Sequence, residues 1–383
     1  MSLSHTQNKP DTIEAATAAL HDRLDELQFR RCFEDSKFVV LDQDGFGFGA
    51  QFHRRVLGLQ FAYMFDRTAV FVNEYNPPYT PCLEPTGQFT FKDIEHLPQE
   101  NLDFTKEQHT KVVFFDFDSF WEDKTLNRMI YEWVPTEIEK HAGSISLPAS
   151  KEKNWLDPEI GKLGPARRFF EGQLLSRFKY RPEYETAIEE VKQRIGFVHP
   201  IIGVHIRRGD KYTEAPYVPL RRFHAEILRA VSETGIKRVF VTSDDPEVFA
   251  GLPHQDRIQY IYDAEEPRYN NANHTLIGKR PDLANQETLT ALKIYDLLSH
   301  CDVLVGQNNA HLTLLAAARN SARTMGTGEY RLTDGNYCAR FRNASPKDWG
   351  DVSIYKLRKF RNSSKSEPIL RVLRPLKRLI RKA

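Results

Sequence analysis

From Ile201 to Ala318 the chain alternates short apolar runs with stretches of helical period, and few folds accept that rhythm. Ile201–Ile206, Arg238–Thr242, Ile258–Tyr262 and Val303–Val305 predict strands, with helices near Leu220–Thr234, Gln286–Ser299 and Asn309–Ala318 between or after them. Helices between buried strands imply parallel βαβ crossovers, and so a Rossmann-like domain.

The first 200 residues carry a weaker version of the same order. Strands are predicted at Phe38–Leu41, Ala69–Val72 and Val112–Phe115, with a helix from Gln51 to Phe65. Thr12–Arg31 reads as an amphipathic helix expected to pack on its own domain or on a partner, through Ile13, Ala16, Ala19, Leu20, Leu24 and Leu27. Residues 140–166 read as an irregular connection, and Ala166–Ile195 as one helical stretch. A chain of 383 residues suits two domains. The expected division is an N-terminal helical segment over 1–35, an α/β domain with its helical connection over 36–195, a Rossmann-like domain over 196–345, and a tail over 346–383.

The net charge of +2 hides an asymmetry. Lys356–Ala383 holds eleven basic residues and one acid, so that segment is +10 and the first 355 residues carry −8. An acidic body is a poor nucleic-acid surface, and no nucleic-acid partner is expected. Ile369, Leu370, Val372, Leu373, Leu376, Leu379 and Ile380 alternate with the cations at near-helical spacing, a pattern suited to an anionic membrane surface. No apolar run reaches the ~20 residues of a membrane span, and the polar start is unlike a signal peptide. Cys32, Cys82, Cys301 and Cys338 are too scattered for a zinc site or a disulfide framework, consistent with a reducing, cytoplasmic setting.

Chemistry concentrates where strands end. At the end of the strand 201–206 stands His205, and behind it Arg207, Arg208, Gly209, Asp210, Lys211 and Glu214, a set of cations and acids suited to an anion. Arginine presents planar paired donors to phosphate oxygens, and charge on an apolar strand is costly unless it is used. Ser243-Asp244-Asp245-Pro246 ends the next strand; its carboxylates are placed to orient those arginines or meet ligand hydroxyls, or Ser243 or Asp244 caps a helix. Gly306-Gln307-Asn308-Asn309 opens a helix whose amide end suits phosphate. In the first domain Gly45, Gly47 and Gly49 precede a helix bearing Gln51 and His53, allowing close backbone approach to a ligand or only a tight turn. Asp42-Gln43-Asp44 and Asp116-Phe117-Asp118 follow apolar strands, but neither has convincing companions, and no metal is expected. Asp116-Phe117-Asp118-Ser119 also looks like the nucleophile motif of haloacid-dehalogenase-type phosphatases, a weaker alternative.

The stretch Gly196–Lys211 (GFVHPIIGVHIRRGDK) closely resembles the core α1,6-fucosyltransferase family, which includes bacterial nodulation-type enzymes. Arg181-Pro182, Ile188-Glu189-Glu190, Gly45–His53, Ala62-Tyr63, Arg67-Thr68, Thr242–Pro246 and Leu298–Val305 extend the likeness over roughly 38–320. The HxRRGD core alone also resembles α1,2-fucosyltransferases. The resemblance implies a GT-B-like α/β fold, two Rossmann-like domains with the donor nucleotide site in the C-terminal one and the acceptor side in the other. It implies inverting transfer from GDP-fucose without a metal or other cofactor. On that likeness Arg207 and Arg208 hold the diphosphate, Glu214 is the general base with Lys211 in its relay, and His205 and Asp245 line the nucleotide site. Tyr79 matches a phosphate-contacting tyrosine.

The sequence departs from the family at three places. The Lys211–Glu214 loop is one residue shorter than in the animal enzymes. The guanine-contacting acid falls at Ile294, with Asp296 two positions on, and a serine pair is replaced by Asn309-Ala310. The expected partners are a nucleotide-sugar donor, a saccharide or lipid-linked oligosaccharide acceptor and, through the tail, the inner face of the cytoplasmic membrane. A non-catalytic nucleotide-sugar or glycan binder is the alternative from another class.

Overall fold

The computed structural model describes residues 12–41, 47–72, 81–105, 107–115, 124–141, 143, 145, 164–209, 217–252, 257–268, 283–307 and 310–333. Asp42-Gln43-Asp44, Tyr79, Asp116-Phe117-Asp118, Asp210, Lys211, Glu214, Asn309, Cys338 and the basic tail lie outside the described residues.

Two all-parallel sheets form the frame. The first has the order β2-β1-β4-β3, from β1 (Phe38–Leu41), β2 (Thr68–Phe71), β3 (Gln99–Asn101) and β4 (Val112–Phe115). The second has the order β7-β6-β5-β8-β9, from β5 (Ile202–Ile206), β6 (Arg238–Ser243), β7 (Gln259–Ile261), β8 (Val303–Gln307) and β9 (Glu329–Thr333). Counted within the second sheet, that order is 3-2-1-4-5. Chain direction across the sheet therefore reverses between β5 and β8, which opens a crevice at their carboxyl ends.

The helices follow local chemistry. Pro182–Ile195 has proline at its first turn with Glu183 and Glu185, Lys192 and Arg194 in its last turn, and Gly196 in the left-handed region at φ +66. Each of these complements the helix dipole or its free end groups. The single stretch expected over 166–195 is therefore two helices, Gly164–Leu175 and Pro182–Ile195, because Pro182 cannot continue a helix and biases Arg181 away from the helical region. The helix Phe48–Phe65 starts three residues before its expected position and is buried on nearly every side, Arg54, Arg55 and Gln60 included. Ile13–Asp25 packs inward through Ala16, Leu20 and Leu24.

One apolar core runs through both sheets and the helices between them. At its centre Gly164–Leu175 lies against His311–Arg323, the helix that follows β8. A Cβ on Gly172 would stand 1.9 Å from the carbonyl oxygen of Ala318 and 2.9 Å from the Cβ of Ala322, so only glycine permits this approach. Cys32, Cys82 and Cys301 are free thiols, the latter two buried.

Candidate active site

His205 and Ile206 end β5, and Arg207-Arg208-Gly209 turns away from it. Asp244, at the end of neighbouring β6, organises that turn. One carboxylate oxygen pairs with the Arg207 guanidinium, and the other accepts the backbone N–H of Arg208 at 2.7 Å. Gly209 sits at φ +44, and a Cβ there would meet the Asp244 carboxylate at 2.4 Å, so this position needs glycine for conformation and for space. From the other side Gln307, at the end of β8, accepts the N–H of Arg207 at 3.1 Å. The loop is thus tied to both neighbouring strands at the crevice.

The two arginines part company. The Arg207 side chain is 32% exposed. Arg208 is buried: its guanidinium lies 4.7 Å from the Tyr217 ring centre and donates to the Val218 carbonyl at 3.3 Å. Tyr217 in turn donates to the Gly209 carbonyl at 2.7 Å. Arg207 therefore offers charge at the crevice while Arg208 braces the wall behind it.

Asp244 and Asp245 divide the roles expected of that pair. Asp244 orients the arginine turn, as one of the expected roles has it. Asp245, rather than Ser243 or Asp244, accepts the N–H of Glu247 at the start of the short helix Glu247–Ala250, at 2.9 Å. The Ser243 hydroxyl donates to the Ile206 carbonyl at 2.7 Å, stitching β6 to β5.

His205 is buried, with 3% of its surface exposed, and its Nδ1 lies 2.6 Å from the Thr313 hydroxyl oxygen. Burial, reinforced by the Arg207 charge, depresses its pKa to about 3. The ring is neutral throughout the physiological range.

From the first half, Gly47 caps the helix Phe48–Phe65 and has open space where a Cβ would be. Gly49 has none: a Cβ would stand 2.9 Å from that of His311. Its glycine serves the contact between two helix starts, one from each half. His53 lies at the same junction, stacked on Tyr131 with ring centres 5.6 Å apart, 3.7 Å from the Glu171 carboxylate and 5.9 Å from the His311 ring. Arg167 and His53 hold Glu171 down to about 2 against the opposing effect of burial.

Asp296 is committed elsewhere. It accepts from the Tyr180 hydroxyl at 3.2 Å and pairs with Lys192 at 3.0 Å, while Ile294 is buried. Among the described residues no group of three His, Cys, Asp or Glu side chains converges as a metal site. None of their helices is long and apolar enough to cross a membrane.

Residues 156–306 match the family of alpha-(1,6)-fucosyltransferase N- and catalytic domains. Over this span the chain is similar to the catalytic region of that glycosyltransferase family. The matched span contains β5 to β7, most of β8 and both arginines. Among solved structures, NodZ alpha-1,6-fucosyltransferase co-crystallised with GDP is similar at 14% identity and TM-score 0.41, over 74% of this chain and 92% of that one. Fucosyltransferase NodZ from Bradyrhizobium gives 15% and 0.38 over 74% and 92%. POFUT1 in complex with GDP gives 14% and 0.42 over 78% and 98%. These are distant likenesses.

Gln307, Thr313, Tyr217 and Glu171 were not among the residues the sequence pointed to individually. Only the neighbourhood β6-β5-β8 and the helix contacts bring them to the site. Gln307 alone had a signal, its place in the Gly306–Asn309 turn.

Proposed function

We propose that this protein is an inverting, metal-independent glycosyltransferase that moves fucose from GDP-fucose to a hydroxyl of a saccharide acceptor. The observation that carries this reading is Arg207, held by Asp244 and Gln307 at the topological switch point of the second sheet. Glu214 takes the proton of the acceptor hydroxyl as its oxygen attacks the anomeric carbon from the face opposite the diphosphate. The bond from that carbon to the phosphate oxygen breaks, and GDP leaves with the electron pair. Arg207 neutralises the charge that grows on the leaving group, the task a metal performs in other transferases. Lys211 and Asp210 belong to the relay around the base. Arg208 and Asp245 support the nucleotide site, and Tyr79, Gly47, His53 and Asn309 are assigned to its diphosphate side.

Purified protein is incubated with GDP-fucose and a glycan panel, with and without EDTA, and GDP release and product configuration are read. EDTA-insensitive release with inverted product is expected, and Glu214→Gln is expected to lower it by ~10²–10⁴ while GDP binding persists. Absence of GDP binding and release, or UDP release in a parallel donor screen, overturns the reading.

The basic amphipathic tail supports a peripheral position on the inner face of the cytoplasmic membrane, where lipid-linked oligosaccharides would be acceptors. Full-length protein is expected to sediment with anionic liposomes and a protein ending at Asp351 to stay in solution. Equal sedimentation rejects this.

A further inference from the structure

His205 lies on the face of β5 covered by the helices Ala284–His300 and His311–Arg323, since Gly203, two residues earlier, faces Cys301 and Leu298. Thr313, in the first turn of the second of these helices, is fully buried and reaches the ring. Its rotamer is fixed twice. A Cβ on Gly306 would stand 2.3 Å from the Thr313 methyl, so that methyl fills the space glycine leaves, and the hydroxyl oxygen lies 2.6 Å from Nδ1. A β-branched side chain pinned at its methyl has little freedom to turn its hydroxyl elsewhere.

A neutral imidazole has one N–H and one bare nitrogen, and the hydrogen bond at one nitrogen decides which is which. If Nδ1 carried the proton it would donate to Thr313, and the hydroxyl proton would need a second acceptor in a closed space. A buried O–H left unpaired loses its bond to water with nothing in return. If Thr313 donates to Nδ1, one bond satisfies both groups.

We propose that Thr313 is a positioning residue: its hydroxyl donates to Nδ1 of His205 and fixes the ring with its proton on Nε2. His205 then presents a hydrogen-bond donor to an acceptor atom of the nucleotide in the crevice between β5 and β8. This rests on the reading that a nucleotide sugar binds there. It makes Thr313, which touches no substrate, a determinant of donor affinity.

Full-length protein labelled with ¹⁵N, without nucleotide, tests the tautomer through its histidine side-chain ¹⁵N–¹H correlations, with His205 assigned by its loss in His205→Gln. The expected pattern is a protonated Nε2 and a bare Nδ1, unchanged from pH 5.5 to 8.5, and a protonated Nδ1 overturns the proposal. GDP titrations test the consequence. Thr313→Val is expected to weaken GDP about tenfold, Thr313→Ser by no more than about twofold, and Thr313→Val to add nothing in the His205→Gln background. An equal added loss in that background would mark Thr313 as merely structural. If wild-type protein binds no GDP, the nucleotide reading falls, and the tautomer spectrum still decides the role of Thr313.

Discussion

Arg207→Ala is expected to reduce GDP-fucose turnover by ~10²–10³ while leaving the unfolding midpoint almost unchanged. The two halves of that statement have separate causes. Arg207 and Asp244 form a partly exposed pair, with side-chain exposures of 32% and 25%, and pairs of that kind contribute about 0–1 kcal/mol to stability. The leaving diphosphate, by contrast, gains charge as the glycosidic bond breaks, and a preorganised guanidinium meets it without reorganisation. Initial-rate kinetics beside a urea titration of the same variant read both quantities. Parallel losses of turnover and stability would assign Arg207 a structural task instead.

The second large effect concerns the packing of two helices. Gly172→Ala places a methyl group 1.9 Å from the Ala318 carbonyl oxygen and 2.6 Å from its carbon. Alanine favours a helix over glycine by ~1 kcal/mol, so propensity alone predicts stabilisation. Contact with backbone, which cannot swing aside, wins. Overpacking of this kind costs ~1–3 kcal/mol, and the upper end is expected because two helices must separate. Gly164→Ala, in the same helix with nothing within 4 Å of the added atom, is expected to be neutral or slightly stabilising. Urea unfolding of the two variants decides the matter, and equal midpoints would show that the two helices accommodate the methyl group without cost.

How far the sequence reached depends on which interactions are local. β1 and β4 stand where their apolar runs predict, and Leu220–Thr234 ends at Gly235 because that glycine adopts φ +73. β3 is silent in the sequence because Gln99, Glu100 and Asn101 form an exposed edge strand with no apolar signature. β9 (Glu329–Thr333), at the edge of the second sheet, lies beyond the alternation that the sequence shows over 201–318. Arg207 was legible because a cation at the end of an apolar strand invites explanation. The separate fates of Arg207 and Arg208 were not, since they depend on contacts of Arg208 with Tyr217 and Val218, which are not its sequence neighbours. Nor was the junction at Gly49, where the space a Cβ would take is filled by His311. Pairings between residues a hundred positions apart leave no periodic trace in a sequence.

The contact between Gly164–Leu175 and His311–Arg323 also has a consequence for synthesis. Residue 172 leaves the ribosome almost 150 residues before Ala318, its partner. At about 5–20 residues per second that is roughly 7–30 seconds. Throughout that interval the apolar faces of Gly164–Leu175 and Phe48–Phe65 have no His311–Arg323 helix to cover them. The first half of this protein therefore waits, partly open, for the helix His311–Arg323 of the second.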